Sequence, residues 1–135
     1  MSRKTVVIVG AGFGGLAAAK AFKGADVDVV LIDRTNHHLF QPLLYQVATA
    51  ALSPADIATA SRTLLKGQKN VTVLMGEVTA VDAAAKCVRL KDGPDQQYDW
   101  LILATGAAYS FFGHPEWAGD AEVLKSLDDA LTIRR

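Results

Sequence analysis

The sequence predicts an α/β fold of three layers, built on a mostly parallel sheet with an antiparallel β-meander inserted into it. Three observations predict it. Continuous apolar runs (TVVIV at 5–9, VDVVLI at 27–32, VTVLM at 71–75, WLILA at 100–104) read as strands covered on both faces, the habit of parallel sheets. A glycine-rich turn and an Ala-rich stretch separate the first two runs, so a β-turn-α-β unit is complete in roughly thirty residues. Between the third and fourth runs the texture changes to short alternating segments, VTAVD, KCVRL and QQYDW, parted by Ala-rich and Asp-Gly-Pro turns.

Taken in order, the first strand, Thr5 to Val9, is followed by a helix from Gly14 to Lys23 with Leu16, Ala19 and Phe22 on one face and Gly24 to end it. A second strand from Val27 to Ile32 completes the unit, whose crossover is right-handed by rule. Ser53-Pro54-Ala55-Asp56 opens another helix, with Ser as cap, Pro at the first helical position and an acid at the third. That helix is expected to run to about Lys66 and stop at Gly67. Strands at 71–75 and 100–104 flank the meander, and a loop carrying Gly, Pro and aromatic residues covers 106–120. Ser126-Leu127-Asp128-Asp129 restarts a helix, with Leu124, Leu127 and Leu131 on one stripe.

Composition narrows the function. A chain of 135 residues fits one domain. Fourteen Lys+Arg against fourteen Asp+Glu leave no surplus of cations, so the chain is not a nucleic-acid binder by charge. One cysteine forms no internal disulfide and no thiolate-rich metal site. The N-terminus, Met1-Ser2-Arg3-Lys4 before a small apolar run, has the outline of a secretory signal. Its glycines at 10, 12, 14 and 15 suit a strand-turn-helix instead, and Lys20 and Lys23 break the run before it reaches membrane-span length. A cytoplasmic chain without a transmembrane segment is the expectation.

Gly10-Ala11-Gly12-Phe13-Gly14-Gly15 satisfies G-x-G-x-x-G through Gly10, Gly12 and Gly15. The first glycine permits the tight turn out of the strand, and the second lets backbone approach a pyrophosphate. The third lets the helix pack closely on the sheet. The helix N-terminus then presents unpaired N–H donors and a partial positive charge to the diphosphate. An acid at the end of the second strand completes the fingerprint. Asp33, eighteen residues after Gly15, can accept hydrogen bonds from ribose hydroxyls and repels a 2′-phosphate. Arg34 beside it is a loop cation, a lid on the adenine ring, or an acceptor of such a phosphate. The residues point to a Rossmann-like FAD/NAD(P)-binding domain over 1–135, and the fingerprint alone does not separate FAD from NAD.

Two further features favour the flavin. The meander elaborates the fold as it does in reductases with two dinucleotide domains, and Ala104-Thr105-Gly106, closing the last strand, is similar to the ATG motif of that group. The segment DRTNHHLFQPLLYQVATAALSPAD at 33–56 resembles type II NADH dehydrogenases, the single-chain FAD-dependent NADH:quinone oxidoreductases of the pyridine nucleotide-disulfide oxidoreductase superfamily. GAGFGG, LATGA, SFFGHPEW and LDDALTIRR extend the resemblance over essentially the whole chain. It implies FAD as cofactor, Gly10, Gly12, Phe13, Gly14 and Gly15 as pyrophosphate-loop residues, Asp33 as ribose acceptor and Thr105-Gly106 as a turn near the flavin. It further implies that the Val78 backbone touches adenine. The family's second G-x-G-x-x-G domain for NADH, its later Gly-Asp segment and its C-terminal quinone and membrane elements have no counterpart in these residues. The expectation is therefore the N-terminal FAD-binding portion of a longer flavoprotein, inactive toward NADH by itself, whose parent lies peripherally on the cytoplasmic face of the inner membrane. Gly119-Asp120 reads as a turn and not as the late Gly-Asp segment.

The remaining candidates carry less. His37-His38 has no Cys, Asp or Glu at ligand spacing, which favours a loop pair near the cofactor or simple capping over a metal site. Cys87 falls in a meander strand as a small buried hydrophobe, and the region where dithiol relatives carry C-x4-C reads QPLLYQ. Gln41 to Gln46 is a wall beside the flavin and a quinone ring, or a loop packed on the sheet. No general base, nucleophile or metal centre stands out, as suits a reaction whose electronics reside in the cofactor. An NAD-binding dehydrogenase portion without flavin, and a non-catalytic dinucleotide-binding module, are the competing readings.

Overall fold

Runs of β-branched residues build the main sheet of the chain, which the computed structural model describes over residues 2–135. In chain order the elements are β1 (Lys4–Val9), α1 (Phe13–Ala21), β2 (Val27–Asp33), β3 (His37–Leu39), α2 (Leu44–Ala48), α3 (Pro54–Ile57), β4 (Ala58–Ala60) and α4 (Ser61–Leu64). There follow β5 (Val71–Met75), β6 (Val78–Asp82), β7 (Cys87–Leu90), β8 (Gln96–Gln97), β9 (Trp100–Leu103) and α5 (Leu127–Arg134). Contacts divide them into two units, one of residues through His38 with Ala60–Gly106, the other of Leu39–Thr59 with Ala107–Arg135.

In the first unit four strands form a sheet in the order β5-β2-β1-β9, and every pairing in it is parallel. The pleat sends successive side chains to opposite faces. Val6, Ile8, Val29 and Leu31 pack with Leu16 and Ala19 of α1 and with Leu65. Val7, Val9 and Ile32 pack on the other face with Val88 of β7. The meander β6-β7-β8, antiparallel as its alternating texture predicts, is thus the third layer. Cys87 is buried in it. Asp99 ties the sheet's starting edge: its carboxylate accepts from the Thr5 N–H at 2.8 Å and from Lys4 Nζ at 3.0 Å. Those bonds, the Thr5 one foremost and the Lys4 one next, hold the Asp99 carboxyl below its ordinary value.

Several elements depart from the sequence reading. The helix opening at Ser53 begins as expected, with the Asp56 carboxylate accepting from the Ser53 N–H at 2.7 Å and hydroxyl at 2.8 Å. It ends at Ile57 instead of Lys66. Ala58-Thr59-Ala60 runs extended as β4 and joins β3, while the Ile57 carbonyl accepts from the Phe40 N–H and the Ser61 N–H donates to the Asn36 carbonyl. Backbone partners distant in sequence replace the helix's own. A short second helix, α4, follows and stops before Gly67, whose φ is 86°. Helix α1 ends at Ala21, two residues short of Lys23, with Gly24 at φ 80° just beyond it. His37-His38 lies in a strand and not in a loop.

The second unit has its own core of Leu44, Val47, Ala48, Ile57 and Ala130, formed as α2 packs on α5. Gln41–Leu43 is a 3-10 turn leading into α2, so QPLLYQ is helical and packs on a helix rather than as a loop on the sheet. Leu127 and Leu131 join this core, but Leu124 precedes the helix and is 37% exposed. Ser126 caps α5: its hydroxyl accepts from the Asp129 N–H at 3.1 Å, and the Asp129 carboxylate accepts from the Ser126 and Lys125 N–H groups at 2.7 and 3.0 Å. Gly119-Asp120 closes a 3-10 turn, with the Asp120 N–H donating to the Trp117 carbonyl at 3.0 Å.

Candidate functional site

The site lies at the carboxyl ends of β1 and β9. The chain adds strands outward from β1 through β2 to β5 and then returns to add β9 on the other side of β1. Such a reversal opens a crevice between the two strand ends, and ligands of open α/β sheets bind there. Gly10 leaves β1 with φ 103°, a conformation that glycine alone adopts without strain. A Cβ at Gly10 would run into the Ala104 carbonyl oxygen and lie 2.7 Å from its carbon and 3.2 Å from the Thr105 nitrogen. The first glycine and the Ala104-Thr105-Gly106 segment, ninety-odd residues apart, therefore meet backbone to backbone. The Ala104 N–H donates to the Val9 carbonyl at 2.8 Å and holds that contact.

The other two signature glycines divide the work. A Cβ at Gly15 would collide with the Gly10 carbonyl, whose carbon is 2.8 Å away, so Gly15 seats α1 against the turn. A Cβ at Gly12 would meet no heavy atom within 4 Å. Nothing in the fold itself packs against that position. Gly12 is the N-cap of α1, supplies no side chain to the first-turn N–H groups, and no acid stands in that turn. Gly12, Phe13 and Gly14 are exposed while Gly15 is buried. This donor set, at the positive end of a nine-residue helix and with no Cβ at Gly12 or Gly14, fits a diphosphate.

Asp33 reaches the same loop from β2. Its Oδ2 accepts from the Ala11 N–H at 2.7 Å, and its Oδ1 accepts from the Thr35 N–H and hydroxyl at 2.8 and 2.7 Å. A carboxylate offers about four lone-pair sites, so one remains for a ligand hydroxyl. The Asp33 carbonyl accepts from the Gly76 N–H at 2.8 Å, which ties the chain between β5 and β6 to the end of β2. Arg34 is exposed next to Asp33. The structure thus gathers Gly10, Gly12, Phe13, Gly14, Gly15, Asp33, Ala104 and Thr105 about the turn that leaves β1, with Arg34 beside Asp33, while Val78 packs with Val7, Val9, Ile32 and Val88 between sheet and meander.

Two contacts escaped the sequence reading. Asp33 is also a clamp on Ala11, and His38 Nδ1 lies 2.7 Å from the Ala11 carbonyl oxygen. The Asp-x-Thr spacing at 33–35 is a legible signal for the local turn, since such side chains bond the backbone two residues on. No pattern marks the His38 contact, which joins residues twenty-seven apart. Among the described residues no group of three His, Cys, Asp or Glu side chains could hold a metal ion.

The model of the pyridine nucleotide-disulphide oxidoreductase family matches residues 4–135. The chain belongs to that family. Among curated relatives, the Type II NADH:quinone oxidoreductases NdhA and Ndh of Mycobacterium tuberculosis are 56% and 53% identical to it. Each match takes in 98% of this chain and 29% of the relative. A solved structure of NDH2 from Plasmodium falciparum in complex with NADH superposes with a TM-score of 0.90 at 29% identity, over 98% of this chain and 28% of that one. The chain therefore spans less than a third of the length of these members of the family.

Proposed function

We propose that this chain is the FAD-binding part of a type II NADH:quinone oxidoreductase, whose whole protein passes electrons from NADH through FAD to a quinone. One observation carries the reading most directly: the open Gly12 position at the N-terminus of α1, where a Cβ would meet no heavy atom within 4 Å and no side chain caps the helix. The identity to the mycobacterial enzymes along nearly the whole chain supports the choice of flavin and of quinone as acceptor.

In this reading the N–H groups of Gly12, Phe13 and Gly14 hold the diphosphate, with the α1 dipole favouring its charge. The free lone pair of Asp33 takes a ribose hydroxyl and disfavours a 2′-phosphate. Arg34 and Val78 line the adenosine end, and Ala104, Thr105 and Gly106 pass close to the flavin ring system. Bound FAD supplies hydride acceptance, and the chain's own work is binding and orientation. NADH is the substrate of the whole protein. No helix of the described residues is long and apolar enough to cross a membrane, and we place the whole protein peripherally on the cytoplasmic face of the membrane that holds its quinone.

Titration of the purified chain with FAD and, separately, with NAD tests this, read by flavin fluorescence quenching and by calorimetry. FAD binding at least about tenfold tighter than NAD, a difference of ~1.4 kcal/mol, is the expected result. Tighter binding of NAD would transfer the chain to the flavin-free dehydrogenase reading. Affinity for neither, with the circular dichroism of a folded chain, would leave a non-catalytic module.

A further inference from the structure

His38 has no part in the reading above, yet it touches the glycine loop twice. Its Nδ1 is 2.7 Å from the Ala11 carbonyl oxygen. A backbone carbonyl has no proton to give, so the contact is a hydrogen bond only when Nδ1 carries the hydrogen. The ring also meets the Phe13 ring edge to face, with centroids 5.3 Å apart and planes at 89°. These two contacts bracket the open Gly12. The Ala11 carbonyl and the Gly12 N–H belong to one planar trans peptide and point in opposite directions. Whatever fixes the carbonyl therefore aims the N–H. The N–H side of Ala11 is fixed separately by Asp33, at 2.7 Å. Ala11 itself is 2% exposed, so water does not readily take over either bond.

We infer that His38 is a positioning residue for the dinucleotide loop: its Nδ1–H grips the Ala11 carbonyl and so points the Gly12 N–H into the diphosphate cradle. The inference rests on the dinucleotide reading, and its test separates the two. His38→Leu removes the donor. His38→Asn puts an amide nitrogen where Nδ1 stands, the same number of bonds from the backbone, and His38→Gln places it one bond further out. FAD affinity is measured for all four proteins, and amide hydrogen exchange at Gly12 to Gly14 is measured in the chain without added nucleotide.

His38→Leu is expected to weaken FAD binding about tenfold, in line with one lost hydrogen bond, and to speed exchange at Gly12. His38→Asn is expected to stay within about twofold of the original in both, a rescue that bulk packing would not give. If His38→Leu proves too unstable to compare, the contrast of His38→Asn with His38→Gln at matched melting temperatures decides, with Asn the tighter binder. Equal behaviour of Asn and Gln, or unchanged Gly12 exchange in His38→Leu, overturns the inference. Failure of the original chain to bind either FAD or NAD overturns the dinucleotide reading, and the exchange measurement then decides the His38 contact alone.

Discussion

Three glycines of one motif have three different physical reasons, and substitution separates them. Gly10→Ala and Gly15→Ala each drive a Cβ into backbone, at Ala104 and at Gly10, and Gly10 adds the strain of φ 103°. Either change is expected to destabilise the fold by at least about 2 kcal/mol in denaturant unfolding. Gly12→Ala meets no neighbour, so its stability is expected to stay within about 0.5 kcal/mol of the original. Asp33→Asn leaves one carbonyl oxygen for donors that now occupy two carboxylate oxygens, so the Ala11 N–H or the Thr35 pair loses its partner. A cost of about 1–3 kcal/mol in stability is expected, together with weaker FAD binding. The residue types at these positions were legible from spacing alone. Spacing also assigned each glycine its task; what it could not show is the backbone that Gly10 packs against, because Ala104 lies far along the chain.

At the scale of elements, carboxylates placed by local rules hold helix ends and a strand edge. Ser126→Ala is expected to cost about 1 kcal/mol through the loss of the α5 cap, measurable by thermal or denaturant unfolding. Among the described residues, the Asp56, Asp99 and Asp129 carboxyls are held below their ordinary value. The Ser53 hydroxyl and N–H lower Asp56, and the Thr5 N–H and Lys4 lower Asp99. Burial pushes Asp129 up, but the Lys125 and Ser126 N–H groups and the Ser126 hydroxyl outweigh it and leave it lowered. A carboxyl with a depressed value in the folded state stabilises fully above its ordinary value and loses that contribution as pH falls through the folded value. Stability is therefore expected to be flat toward neutrality and to fall in acid, and Asp99→Asn is expected to flatten the acid limb. An acid limb unchanged in that variant would count against the assignment. Both caps, Ser53 with Asp56 and Ser126 with Asp129, were readable because capping is local. The break at Ala58–Ala60 was not, because the partners that draw it out of the helix, Asn36 and the β3 strand, come from elsewhere in the chain.

For the molecule as a whole, the parallel order β5-β2-β1-β9 determines where a ligand can sit, since β1 and β9 are the neighbours between which the sheet's growth reverses. The apolar runs announced each of these strands within a residue or so, and the alternation at 78–97 announced the covering meander. Pairing order itself is a property of long-range contacts, and only the short β-turn-α-β connection constrained it from sequence. The crevice and the exposed Gly12-Phe13-Gly14 segment support the account proposed above, in which Gly12 is bare to admit a diphosphate. The most direct test is the FAD dissociation constant of the original chain against Gly12→Ala, with melting temperatures measured alongside. The account predicts equal melting temperatures and at least about tenfold weaker binding by the variant. Equal affinities in two equally stable proteins would contradict it.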